Sequence, residues 1–363
     1  MPETLDETYE RTLREINEAD WELAHRLCQC VAVASRPLRV DELAEFLAFD
    51  FTAGPRAIPK FREDWRVGDP LEAVLSTCST LLSLVGDDDS PVIQFSHFSV
   101  KEFLTSVRFA EKCNTISHRY HISITPAHTL VAQACLGILL HLDPDITTGS
   151  LTKFPLAEYA AECWVEHARV EGVSQNVEDG MKQLFDGNKP HLAVWAWIHE
   201  PDFRRRRFER AERPSPPDRS PLHFAAFCGL HTVVEFLAIE HRQGVDSRGG
   251  YDESTALHLA SSEGHVEAAH MLIEYDADPT AQNNDGSTPL HVLSGSYWAD
   301  ADLAGFLVEH GADPTAQDKD GSTPMHLLLQ SYSPDEDLVG FFVEHGADVT
   351  SQAMPQIQQP TII

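Results

Sequence analysis

Residues 278–291 read DPTAQNNDGSTPLH, and 35 positions further on residues 313–326 read DPTAQDKDGSTPMH. Repetition at a fixed period means that one supersecondary unit is used several times, each copy too small to bury its apolar face alone. Aligning SPLH at His223, TALH at His258, TPLH at His291 and TPMH at His326 gives steps of 35, 33 and 35 residues. Four units therefore follow one another without a break.

The residues within a unit account for its shape. Thr288 and Thr323 suit the cap of a helix, where a hydroxyl meets amides that have no intrahelical acceptor. Pro221, Pro289 and Pro324 suit the first helical position, where the missing N–H costs nothing. A second helix follows, with apolar residues three and four apart: Val233, Phe236 and Leu237; Ala268, Met271 and Leu272; Leu303, Phe306 and Leu307; Leu338, Phe341 and Phe342. Units three and four lack a Gly-His bend and carry two extra residues between their helices, SYWADAD and SYSPDED. Ser333-Pro334-Asp335-Glu336 predicts a capping box that launches the second helix of unit four. TPLH, the Gly264-His265 bend, the Gly311-Ala312-Asp313 turn and the Asp-Gly ahead of the next Thr stand in the order of the ankyrin repeat, which residues 219–352 resemble. The resemblance implies an α-solenoid with a concave surface for a protein partner.

Four evenly placed histidines raise the question of metal binding. Each belongs to a different stacked unit, so a bond tying turn to helix is expected of them, and no His-Glu-x-x-His or paired Cys-x-x-Cys spacing is present. The aromatics of the inserted loops are better candidates for recognition. Tyr297 and Trp298 in one loop and Tyr332 in the next stand at corresponding places, with Asp300, Asp302, Asp335 and Asp337 around them, as interface anchors with a charged rim do. Asn283, Asn284, Asp318 and Lys319 at the turns and Glu263 before the bend complete the candidate protein-binding set. Solenoids normally end in a unit with a polar outer face, whereas unit four carries Phe341 and Phe342, which predicts self-association through the C-terminal repeat.

Ahead of the repeats, WELAHRLCQCVAVAS predicts a helix over 21–34, RPLRVDELAEFLAFD a second one with Leu43, Phe46 and Leu47 at helical spacing, and a third runs over 71–78. TLLSLV and VIQFSH, separated by GDDDSP, predict a hairpin, and FSVKEFLTS returns to helix. Three helices and such a wing describe a winged-helix module. DELAEFLAFD and QFSHFSVKEFLTS also resemble the segment that follows the nucleotide-binding domain in fungal NACHT-ankyrin proteins, a branch of the signal-transducing NTPases. TLDETYERTL resembles the end of that NTPase, and AHTLVAQACLGILLHL, FPLAEYAAECWVEHA and KPHLAVWAWIHEPD are similar to its helical connector. The implied organisation is mostly α: an NTPase remnant at 1–20, a winged-helix domain at 21–110, a helical connector at 111–200, a basic Pro-containing linker at 201–218, ankyrin repeats at 219–352 and a tail at 353–363. Both ends read as cuts through a longer architecture. No G-x-x-x-x-G-K-[ST] occurs, so the family's ATPase or GTPase activity carries over to no residue here, and no enzyme activity or cofactor is expected.

Charge narrows the partners. The 363 residues carry 27 Lys and Arg against 57 Asp and Glu, a net charge of −30 that repels nucleic acid and anionic membranes. No apolar run approaches the roughly 20 residues of a membrane span, and the polar, acidic N-terminus is unlike a signal peptide. Seven scattered cysteines read as reduced core thiols, and Cys28 and Cys30, two apart on a helix, do not suit one zinc ion. Ser96, His97 and Ser99 lack the frame of a nucleophile, and His97 is expected to pin the wing to the next helix. The basic cluster Arg204 to Arg207, Arg210, Arg213 and Arg219 reads as a solvated helix end, with a nuclear-import patch or a charge contact to a partner as alternatives; the expected setting is cytoplasmic, or nuclear if Arg204 to Arg207 direct import. The expected function is a non-enzymatic interaction protein in an NLR-like context. A DNA-binding regulator is the alternative, opposed by the acidic character of DELAEFLAFD.

Overall fold

The structure, a computed structural model, describes residues 5–78, 81–86, 91–199, 211–240, 244–331 and 334–347. The chain divides into two compact units, residues 1–215 and 216–363.

The N-terminal unit opens with α1 (Leu5–Glu15) and α2 (Trp21–Val33), followed by β1 (Leu38–Arg39), α3 (Val40–Glu45), the short pair β2 (Phe49–Asp50) and β3 (Lys60–Phe61), α4 (Pro70–Cys78), β4 (Leu82–Val85) and β5 (Val92–Phe95). β4 and β5 form an antiparallel hairpin with Leu82 opposite Phe95, and β1 joins its far edge with Leu38 opposite Ile93. The sheet order is β1-β5-β4. Leu38, Ile93 and Phe95 turn inward beneath α2, whose Ala24, Leu27, Cys28 and Val33 are buried. His97 then caps α5 (Phe98–Thr105): its Nδ1 accepts the Ser99 N–H at 3.3 Å, and the Ser99 hydroxyl lies 2.6 Å from both His97 Nδ1 and the Tyr9 hydroxyl of α1. His97 and Ser99 thus meet as a helix cap.

The remaining helices are α6 (Val107–Ala110), α7 (Thr115–Tyr120), α8 (Ile124–His141), α9 (Thr148–Leu151), α10 (Leu156–Ala168), α11 (Ser174–Leu184) and α12 (His191–Ile198). α8 is the axis: α2, α10, α11 and α12 all pack on it, and Val131 to Leu139 are buried without a gap. A helix enclosed on every side has no polar stripe. This corrects the expectation that no run is long and apolar enough for a membrane, because an 18-residue window within Thr115–His141 has a mean hydropathy of 1.4. Its apolar length is taken up by neighbouring helices of the same unit, with most of it buried. Gly137 lets the 51–59 loop approach the axis, since a Cβ there would stand 2.9 Å from the Pro59 carbonyl oxygen.

Two carboxylates of DELAEFLAFD are internal. Glu42 is fully buried, takes both Arg36 Nη atoms at 2.9 and 3.0 Å and accepts the Arg39 N–H at 2.7 Å, which closes the start of α3. Glu45 pairs with Arg66 and accepts the Leu156 N–H at 2.9 Å, so it clamps α3 to the start of α10. Burial raises the Glu45 pKa above the ordinary carboxylate value.

In the C-terminal unit four helix pairs stack: α13 (Pro221–Phe227) with α14 (His231–Glu240), α15 (Ala256–Ser262) with α16 (Val266–Glu274), α17 (Pro289–Ser294) with α18 (Ala301–Glu309), and α19 (Pro324–Gln330) with α20 (Glu336–Glu344). The first helices pack in series, α13 on α15, α15 on α17 and α17 on α19. Two details differ from the expectations for unit four. Asp335, whose Oδ1 accepts the Leu338 N–H at 2.8 Å, caps α20 two residues later than Ser333-Pro334 suggested, and Ser333 lies outside the described residues. Phe342 is fully buried with Leu338, because positions 341 and 342 lie about 100° apart on a helix and only one can face the core. Phe341 is half-buried against the His345 ring at 4.1 Å, and the exposed large apolar residues of α19 and α20 are Leu329 and Val343.

Removing the Glu42 carboxylate takes away the buried partner of two guanidinium groups and leaves Arg36 with the more exposed Glu162 and Arg39 with Asp41. Glu42→Ala is expected to lower the unfolding free energy by about 2–3 kcal/mol, toward the low end for a broken buried pair because Arg36 is partly exposed; a urea midpoint equal to wild type would contradict this.

Candidate protein-interaction site

The fourteen repeated residues form a hairpin and a helix start whose polar atoms are accounted for. Asp278 and Asp313 each accept, on Oδ1, the N–H of the Thr two residues on, at 2.8 Å in both. Gly286 and Gly321 take φ of +77° and +75°, left-handed values that exclude most side chains. Asn283 Oδ1 accepts the N–H groups of Asp285 and Ser287 at 3.0 Å each, and Asp318 Oδ1 does the same for Asp320 and Ser322 at 3.0 and 2.8 Å. Asn283 is buried and Asp318 half-buried, and their Oδ1 atoms face their own turns. Asn284 and Lys319 are exposed at the tips, and their backbone N–H groups bond back to Asp252 O at 2.8 Å and Asp285 O at 3.0 Å, one repeat earlier.

The histidines join the repeats. Nδ1 of His291 accepts the Thr288 N–H at 3.2 Å and stands 2.8 Å from the Thr288 hydroxyl, which completes a reciprocal capping box. An Nδ1 that accepts an amide proton carries none itself, so the proton sits on Nε2. That Nε2–H donates to the Ser322 carbonyl of the following repeat at 3.1 Å. His258 reaches Ser287 O and His223 reaches Ser254 O in the same way, each at 2.9 Å. His326 repeats the inner half, with Nδ1 2.7 Å from the Thr323 hydroxyl. Pro221, Pro289 and Pro324 each occupy the first turn of the helix beside them. Burial lowers the pKa of His223 and His291, and that of His258 to about 4. Among the described residues no group of three His, Cys, Asp or Glu side chains is placed to hold a metal ion. Arg219, counted with the basic cluster, is buried and pairs with Asp252 at 3.1 Å, whereas Arg204 to Arg207 lie outside the described residues.

A different column of contacts positions the aromatic loop. The ring of His265 covers Gly229 of the preceding repeat, 2.8 Å from where a Cβ would stand, and its Nε2 is 3.0 Å from the Phe227 carbonyl. Thirty-three residues later Trp298 covers Gly264 with its Cβ and carbonyl oxygen, 2.7 and 3.2 Å from where a Cβ would stand. Trp298 therefore takes the place of the bend histidine, and the insertion seats it on the previous repeat next to Glu263. Its N–H donates to Ser296 Oγ at 3.1 Å, while Asp300 turns back to cap α18 by accepting the Leu303 N–H at 2.8 Å. With its backbone fixed, Trp298 remains 57% exposed and Tyr297 91% exposed, their rings edge to face at 5.2 Å. Tyr332, the third aromatic candidate, lies outside the described residues. Sequence reasoning missed the glycine seat, although the 33-residue step from His265 to Trp298 was there to find it.

Models of ankyrin repeats match residues 191–283, as three copies, and residues 285–319, as one more repeat. These are ankyrin repeats. As modules of protein–protein interaction they give the exposed loop its context. The azaphilone pigments biosynthesis cluster protein L of Monascus ruber is 29% identical over 296 residues, 77% of this chain and 60% of that protein. A match of that length extends beyond the ankyrin repeats into the N-terminal unit, and the chain spans about three fifths of that relative. The mouse palmitoyltransferase ZDHHC13 is 23% identical over 181 residues, half of this chain and 24% of that protein. The rice BTB/POZ domain and ankyrin repeat-containing protein NH5.2 is 36% identical over 76 residues, 21% of this chain and 15% of its own length.

The histidine ladder makes stability depend on pH. Folded His258 holds its proton less tightly than an unfolded histidine at 6.5, so protonation favours the unfolded chain; the contribution is complete above pH 6.5 and is lost as pH falls toward 4. From this residue the loss should approach roughly 3 kcal/mol. Between pH 7 and 5 the unfolding free energy of His258→Gln should fall less steeply than that of wild type, whatever its absolute value, and parallel slopes in urea titrations would contradict the assignment.

Proposed function

We propose that this chain is a non-enzymatic interaction protein whose ankyrin repeats hold a protein partner at the Tyr297–Trp298 loop. The observation that carries the reading is the pairing of a rigid seat with an exposed ring: Trp298 is anchored through its backbone over Gly264 and spends little of its side chain on the fold. An aromatic ordered before binding loses little entropy when a partner covers it.

In the N-terminal unit, we infer a winged-helix module of an NLR-like protein. The chain order α2, β1, α3, α4, β4, β5 and the sheet order β1-β5-β4 support it. A DNA-reading role has less support. α4, PLEAVLSTC, carries no Lys or Arg, and α3 spends Glu42 and Glu45 on internal ion pairs.

Trp298→Ala is expected to weaken partner binding by about 2 kcal/mol or more while leaving the thermal transition within about a degree of wild type, because more than half of the ring is already in water. Partners captured from native extract by the full chain should be lost by this variant and kept by Glu344→Gln on the last helix. Equal capture by both variants would refute the loop as the binding site.

A further inference from the structure

The chemistry of the partner can be narrowed, on the reading that the Tyr297–Trp298 loop binds protein. Between Arg248 and Lys319 the chain has thirteen Asp and Glu residues and no Lys or Arg. Across residues 216–363 there are 23 acidic residues against four basic ones, and two of the four are engaged: Arg219 in the buried pair with Asp252, and Lys319 with its Nζ 2.5 Å from the Asn284 carbonyl. The loop stands inside this field. Glu263 adjoins the glycine on which Trp298 sits, and Asp300 and Asp302 follow within four residues. Asp300 caps α18 by accepting the Leu303 N–H at 2.8 Å, which fixes its carboxylate beside the loop.

Two exposed rings meeting edge to face leave π faces open to solvent, and a π face attracts cations. An aromatic ledge in neutral surroundings accepts apolar and cationic side chains alike. One in a field of uniform negative sign repels an acidic segment and draws in a basic one, raising both encounter rate and selectivity. We propose that the loop recognises a cationic segment of its protein partner, one that lays Arg or Lys side chains over Trp298 and Tyr297 while Glu263, Asp300 and Asp302 hold the flanking charges.

Bulk charge alone would bind a polycation, so the decisive comparison removes the rings at constant charge. A fluorescein-labelled oligoarginine peptide titrated into the full chain at about 150 mM salt is expected to bind wild type about five- to tenfold more tightly than Trp298→Ala. Tyr297→Ala, at a residue almost wholly in solvent, should weaken binding in the same direction without touching the seat on Gly264. Trp298→Phe should restore most of the affinity and Asp302→Asn should lower it. Equal affinities for wild type, Trp298→Ala and Tyr297→Ala, or no binding by any of them, would overturn the inference. If either occurs while partner capture still depends on Trp298, the loop binds protein of another chemistry; if capture is also indifferent to Trp298, the binding reading falls with it.

Discussion

A buried imidazole has two nitrogens to satisfy, and in these repeats they answer to different repeats. Nδ1 is committed within its own helix start, to the N–H of the residue that opens it, which forces the proton onto Nε2 and sends it to a carbonyl of the next repeat. The carbonyl that receives it, Ser287 O for His258, also closes its own turn by accepting the Asn283 N–H at 3.0 Å. One side chain therefore fixes a helix start, a turn and the step between repeats. Leaving either nitrogen unpaired would cost on the order of 1–3 kcal/mol in a site this dry. That cost is why the same tetrapeptide recurs with so little change while the residues around it drift.

The aromatic loop depends on the frame that these bonds set. Gly264 can receive Trp298 only if consecutive repeats keep a fixed offset, because the approach leaves no room for a Cβ. The two added residues lengthen the connection between α17 and α18, and Asp300 restarts α18 at its usual place by capping it. Insertion without loss of register is what allows a surface loop to change its chemistry while the stack persists. The N-terminal unit is built by a different rule. Its order radiates from the enclosed helix α8, and its charged groups near that core, Glu42 and Glu45, are paired with arginines and never meet solvent alone.

The period of 33 to 35 residues, the Pro at each first turn and the histidine ties could be read from the sequence, because each rests on local chemistry repeated in phase. What could not be read depends on neighbours. Asn283 and Asp318 look like exposed tip residues, and only the folded turn shows their Oδ1 atoms turned to its own N–H groups. Phe341 and Phe342 are equally apolar, so the helix phase that buries the second is settled by α18 and α19. Asp335 and Ser333 both make good caps, and composition does not choose between them. A core helix enclosed on all sides has the composition of a membrane span, so α8 could be told from one only by what surrounds it. Of the candidate site, Tyr297 and Trp298 were legible as aromatics in a polar loop, whereas the seat on Gly264 needed the stack to be assembled.

The central claim, that neutral Nε2–H imidazoles link successive repeats, is tested most directly by two-dimensional ¹⁵N NMR of the histidine rings at about pH 6, near the ordinary histidine pKa. His223, His258 and His291 should each show a bare Nδ1 and a protonated Nε2 whose proton exchanges slowly with water. Imidazolium signals from these three residues, or the opposite tautomer with its proton on Nδ1, would mean that the rings do not bridge the repeats.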